Sequence, residues 1–158
     1  MKPSLFTVLI VPILFAEAIP EKEYLKVTQV KGASVLVTGK SGEAVITSTI
    51  VPGFHVQANP VSQPTQIPTQ LTFESNDAFE IGVVQYPEGK KYKQKDSDRE
   101  LLTYEGAFEI KVPIKAVPGK ANLGKNELVA KLRYQACDEK ICFFPNSVRV
   151  VVPVMVYK

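Results

Sequence analysis

The sequence predicts an all-β chain, an immunoglobulin-like antiparallel β-sandwich with its only two cysteines on a C-terminal hairpin. Three observations lead there. Short runs of alternating apolar and polar residues recur between Gly, Pro and Asn turns, and no convincing helical period interrupts them. The composition, 45% hydrophobic and 22% charged with twelve prolines and many valines and threonines, suits strands around a packed core. The last two runs, ELVAKLRYQAC and SVRVVVPVMVY, alternate most cleanly of all.

At 158 residues the chain has room for one domain. The expected organisation is a signal peptide over residues 1–18 and a single β-sandwich domain over residues 19–158. MKPSLFTVLIVPILFAEA has a charge at Lys2, an apolar run from Leu5 to Phe15, and small residues at Ala16 and Ala18. That is a secretory leader with cleavage after Ala18, too short in its apolar run to span a bilayer comfortably. No later segment is apolar enough to cross a membrane, so the mature form is expected to be exported, not membrane-spanning, and held where disulfides persist. A net charge of +3 is too mild for a nucleic-acid binder.

In chain order, EYLKVTQV and SVLVTG read as short strands, the second of them equally readable as loop. GEAVITSTIV puts Ala44, Ile46 and Ile50 on one face and Thr47 and Thr49 on the other. PGFHVQANP turns at Pro52-Gly53, runs briefly extended and breaks at Asn59-Pro60. QLTFES and FEIGVVQY are further strands, and the polar stretch from Pro87 to Glu105 reads as a long loop. AFEIKVPI follows, then the Gly/Pro/Asn loop PGKANLGKN. In the last two strands Leu128, Leu132 and Tyr134 share one parity, and Val148, Val150, Val152, Val154 and Val156 share another face. Pro153 has no N–H to give a ladder, which predicts a sheet edge or a bulge there.

Cys137 and Cys142 sit at the join of these two strands, in YQACDEKICFFP. Five extended steps would span about 17 Å, so DEKI must turn the chain back for a bridge, as a hairpin tip does. Three uses of the pair stand side by side. As a staple it closes a loop of about six residues, worth only about 2 kcal/mol. As metal ligands, two thiolates and the lone His55 fall short of a zinc set, although two thiolates alone suit copper(I). As a redox dithiol, an exposed tip offers the access that exchange requires. Asp138 and Glu139 are offset by Lys140 and Arg133, so the field expected at the sulfurs is neutral, with nothing to depress a thiol pKa strongly. No acid–base pair, nucleotide loop, cofactor motif or further metal set is visible, and no cofactor is expected.

The segment YQACDEKICFFPNSVRVVVPV resembles the end of the N-terminal periplasmic domain of the DsbD-type thiol:disulfide interchange protein. GEAVITSTIVPGFHVQANP, IPTQLTFE, QYPEGKKY and TYEGAFEIKVPI extend the resemblance over nearly the whole mature chain. It implies a terminal hairpin bearing a reversible Cys137–Cys142 disulfide, with Cys142 forming mixed disulfides and Cys137 resolving them. It also implies a cap loop over the bridge, where Tyr86, Tyr92 and the charged residues from Glu88 to Glu100 fall. His55 is placed near the disulfide by its segment. Of Phe143 and Phe144, one is expected to pack inward and the other to offer a partner an apolar contact. The implied partners are thioredoxin-fold oxidoreductases and a membrane electron donor, and the implied setting is periplasmic. Because the family protein continues into membrane and thioredoxin-like domains, this chain is expected to be a free-standing, monomeric version that works as an electron shuttle. The competing expectation is a non-catalytic exported β-sandwich that binds protein and uses the bridge as a structural disulfide.

Overall fold

A computed structural model describes residues 22–37, 39–95 and 100–158. The expected signal peptide, residues 1–18, lies outside the described residues. The first sheet has the order β1-β3-β9-β6, from Leu25–Lys31, Gly42–Ile50, Ala107–Ala116 and Phe79–Ile81, all antiparallel. The second has the order β2-β12-β10-β5, from Ala33–Leu36, Asn146–Tyr157, Gly124–Tyr134 and Gln70–Phe73. Its β10–β12 ladder runs without a slip from Gly124↔Val156 to Tyr134↔Asn146, and β2 joins β12 in parallel.

This is the immunoglobulin arrangement. With β1 and β2 as a first strand split between the sheets, β3, β5, β6, β9, β10 and β12 take the places of B, C, D, E, F and G. A glycine makes the split possible. A Cβ on Gly32 would lie 2.2 Å from the Pro153 carbonyl oxygen, so no larger residue fits where the chain crosses between sheets.

The core follows from period-two alternation. Ala44, Ile46 and Ile50 of β3, Ile110, Val112 and Ile114 of β9, Leu128 and Leu132 of β10, and Val150, Val152, Val154 and Val156 of β12 form one buried cluster. Each Val, Ile or Leu among them contributes about 1.5–3 kcal/mol on leaving water. The alternation read from the sequence is the one the sheets use.

A third, smaller sheet positions the cysteines. Its order is β11-β4-β8-β7, from Ala136–Cys137, His55–Gln57, Glu100–Tyr104 and Lys90–Lys93. In immunoglobulin terms these strands come from the B–C, D–E and F–G connections, which emerge at one end of the sandwich.

Three local readings are corrected. The stretch from Pro87 to Glu105 is not one long loop, because β7 and β8 pair antiparallel within it from Lys90↔Thr103 to Lys93↔Glu100. An edge strand rich in lysine lacks an apolar period for a physical reason, since charge is what keeps such an edge from pairing further. Pro153 is not on an edge strand. β12 lies between β10 and β2, and the β2 ladder begins only at Val154, just past the missing N–H. Finally, FEIGVVQY is a strand only over Phe79–Ile81, after which Gln85 makes an isolated bridge to Lys111.

Candidate active site

The hairpin between β10 and β12 ends in a tip built by Asp138. Its backbone N–H donates to the Ile141 carbonyl at 3.0 Å, and its Oδ1 accepts from Lys140 N–H at 2.7 Å and Ile141 N–H at 2.8 Å. A short polar side chain that satisfies its own turn is what aspartate does well. Below the tip, Phe143 N–H donates to the Ala136 carbonyl at 2.8 Å. Cys137 and Cys142 therefore face each other as a non-hydrogen-bonded antiparallel pair, the arrangement that brings strands closest. Their Cα atoms are 3.9 Å apart and the sulfurs are bonded.

The two cysteines differ sharply in exposure. Cys137 is 1% exposed, paired on β11 with His55 of β4, whereas Cys142 is exposed between Ile141 and Phe144. Gln57, two residues beyond His55 and therefore on the same face of β4, is buried under the bridge. Its Nε2 lies 3.4 Å from Cys137 Sγ and 3.9 Å from Cys142 Sγ. Its Oε1 is buried with no hydrogen-bond partner among the described residues.

Around this centre, the His55 and Tyr92 rings meet with centroids 4.1 Å apart. Tyr92 sits on β7, and Gln94 just beyond it donates from Nε2 to the Lys140 carbonyl at 3.2 Å. The β7–β8 pair thus touches the cysteine tip at two places, through His55 and through Lys140. An open cleft of about 380 Å³ adjoins them, lined by Pro52, Phe54, Glu105 and Glu139 among others. Burial holds the His55 pKa below its ordinary value, with Glu105 and Asp138 pulling it back up. Tyr92 is pushed up by burial, and then by Glu139, Glu105 and Asp138. Glu105, just past the end of β8 and remote in sequence, joins the tip carboxylates in acting on His55 and Tyr92.

The residues singled out in the sequence fall into three groups. Cys137, Cys142, His55 and Tyr92 come together. Phe143 turns inward, stacked on Tyr24 at 4.8 Å and near Phe54 at 5.9 Å, while Phe144 is 92% exposed beside Cys142. Tyr86 makes its interactions elsewhere. Its hydroxyl accepts the Leu71 N–H at 2.8 Å, pinning the approach to the small sheet onto β5. Gln57 and Glu105 were not read from the sequence. The signal for Gln57 was its shared parity with His55, but Glu105 had none. No group of three or more His, Cys, Asp or Glu among the described residues is placed to hold a metal ion.

A sandwich whose end loops weave a small sheet around one half-exposed disulfide defines a candidate thiol–disulfide module. The family model for the N-terminal domain of the thiol:disulfide interchange protein DsbD matches residues 21–153, and the chain belongs to that family. Among solved structures it is similar to the DsbD N-terminal domain of Neisseria meningitidis in the reduced form. That match is 16% identical, covers 69% of this chain and 74% of that one, and has a TM-score of 0.43. It is also similar to the N-terminal periplasmic domain of ScsB from Proteus mirabilis, at 10% identity and a TM-score of 0.54, over 85% of this chain. The second likeness shows a shared fold, and this chain spans 48% of the length of that one. Among curated proteins, none matches significantly.

Proposed function

We propose that the protein is a periplasmic thiol–disulfide interchange module, which passes reducing equivalents between thioredoxin-fold partners through a reversible Cys137–Cys142 disulfide. The observation that carries the reading is the unequal exposure of the two cysteines, one open to solvent and one at 1%. A partner thiolate attacks Cys142 Sγ in line with the S–S bond. That bond breaks, its electron pair leaves on Cys137 Sγ, and a Cys142–partner disulfide forms. The partner's second thiolate then displaces Cys142, the partner leaves as a disulfide, and two protons from solvent complete the dithiol. In the opposite direction the Cys142 thiolate attacks a partner disulfide, and Cys137 resolves the mixed species.

Tyr92 and the β7–β8 pair act as the cap, and Phe144 and Ile141 give an incoming partner apolar contact around the reacting sulfur. A membrane electron donor and an exported location complete the proposal. With Cys137→Ser, the Cys142 thiolate attacks the disulfide of an oxidised thioredoxin-fold partner, and the mixed disulfide should be trapped by acid quenching, because only the partner's own freed thiolate can then remove it. Failure to trap any such species, with the wild-type bridge inert to a reduced thioredoxin-fold protein, would return the bridge to a structural role.

A further inference from the structure

Among the described residues Gln57 is the one polar side chain that reaches both sulfurs, and it does so from a position 1% exposed. A buried amide is costly unless its polar atoms are bonded, and a disulfide sulfur is a poor acceptor for it. Its Oε1 meanwhile has no partner among the described residues. An amide so placed is poorly satisfied while the bridge is closed. Both ends of it match what the bridge becomes when opened.

We infer that Gln57 is a positioning residue for the Cys137 sulfur, donating from Nε2 to the thiolate and, with its amide turned over, accepting through Oε1 from the thiol. This rests on the exchange reading above. When a partner thiolate attacks Cys142 and the S–S bond breaks, the electron pair arrives on a buried sulfur, with Asp138 next to it in sequence and Glu105 and Glu139 lining the adjoining cleft. Burial and carboxylates both oppose that charge. The Gln57 N–H is the group in place to offset them. Hydrogen bonds to a charged acceptor are the strong ones, so a donor that bonds weakly to the disulfide bonds firmly to the thiolate. Reversibility at Cys137 is thus tied to a residue eighty positions away on β4.

The test uses the full chain carrying Cys142→Ser, which leaves Cys137 as a lone thiol, and follows the ultraviolet absorbance of its thiolate against pH. Gln57→Met keeps length and burial but removes donor and acceptor, and Gln57→Leu serves as a second apolar variant should the first not fold. Either should lower the thiolate fraction about tenfold at a given pH below the midpoint. In the two-cysteine protein the same change should slow opening of the bridge by a partner thiolate to a similar degree. An unmoved titration would overturn the role of Gln57 whether or not the protein exchanges with partners. A shifted titration in a protein that exchanges with no thioredoxin-fold partner would support the role of Gln57 and sink the interchange reading instead.

Discussion

His55 is buried against Tyr92 and faces Cys137 across the β4–β11 ladder, so its charge state matters to everything around it. Burial lowers its pKa in the folded protein. Between the unfolded value of about 6.5 and the lower folded value, the unfolded chain binds more protons. The stability tied to neutral His55 is therefore fully present above about pH 6.5 and is lost as pH falls through the folded pKa. Urea unfolding midpoints should drop on acidification through this window, and His55→Asn should flatten that limb. Asp138 adds a second, more acid step. Its carboxyl is held below the ordinary range by the Ile141 and Lys140 N–H groups, so its contribution is lost only as pH falls below the carboxylate range. At this scale much of the site was legible. The cysteines and the two phenylalanines stood out by type and place, and His55 and Tyr92 through the family resemblance. Gln57 did not, because its one signal, the parity it shares with His55, gains meaning once the fold puts that face under sulfur.

The small sheet holds its shape through Tyr104 of β8. Its hydroxyl accepts from Asn59 N–H at 3.0 Å and lies 3.1 Å from the Asn59 and 2.9 Å from the Pro87 carbonyl oxygens, its acceptors. One phenol thus fastens the connection after β4 to the entrance of β7. Tyr104→Phe takes away the acceptor of the part-buried Asn59 N–H and the single O–H shared by the Asn59 and Pro87 carbonyls, and should cost about 1–3 kcal/mol in chemical denaturation. The close approach at Gly89 belongs to the same joint, since a Cβ there would lie 2.7 Å from the Ala58 Cβ. The β7 strand itself is bound more lightly, by its ladder to β8 and an exposed Lys91–Glu100 ion pair. Tyr92→Ala loses the ring contact with His55, about 0.5–1.5 kcal/mol, and should raise the rate of bridge reduction by a small thiol such as glutathione severalfold, read by stopped-flow. An unchanged rate would mean that Tyr92 covers nothing that reacts. Strands of this kind were the hardest to read. KKYK shows the charge of a protected edge, and ELLTY, which pairs with it from Lys93↔Glu100 to Lys90↔Thr103, is held on its other side by the sequence-remote β4 through Gln57↔Thr103 and Val56↔Tyr104.

The whole molecule divides into a sandwich frame and an end that carries the cysteines. The frame was legible because a buried valine register, as in Val150 to Val156, cannot be shifted by one residue without turning every side chain outward. The split of the first strand across both sheets was not, since Gly32 reports its role only when Pro153 is beside it. Such a core does not depend on the bridge. The Cys137→Ser/Cys142→Ser double variant should fold to the same sandwich and lose only about 2 kcal/mol, the loop-closure value for a ring of about six residues. A much larger loss in thermal or urea unfolding would mean that the disulfide is holding the fold together.

Whether that sulfur pair opens in use is read most directly from its reduction potential, by equilibrating the protein with glutathione redox buffers and counting free thiols. A thiol–disulfide carrier should come to balance above about −300 mV, nearer −200 mV. A potential well below about −300 mV would mark a permanent structural bond and contradict interchange as the protein's work.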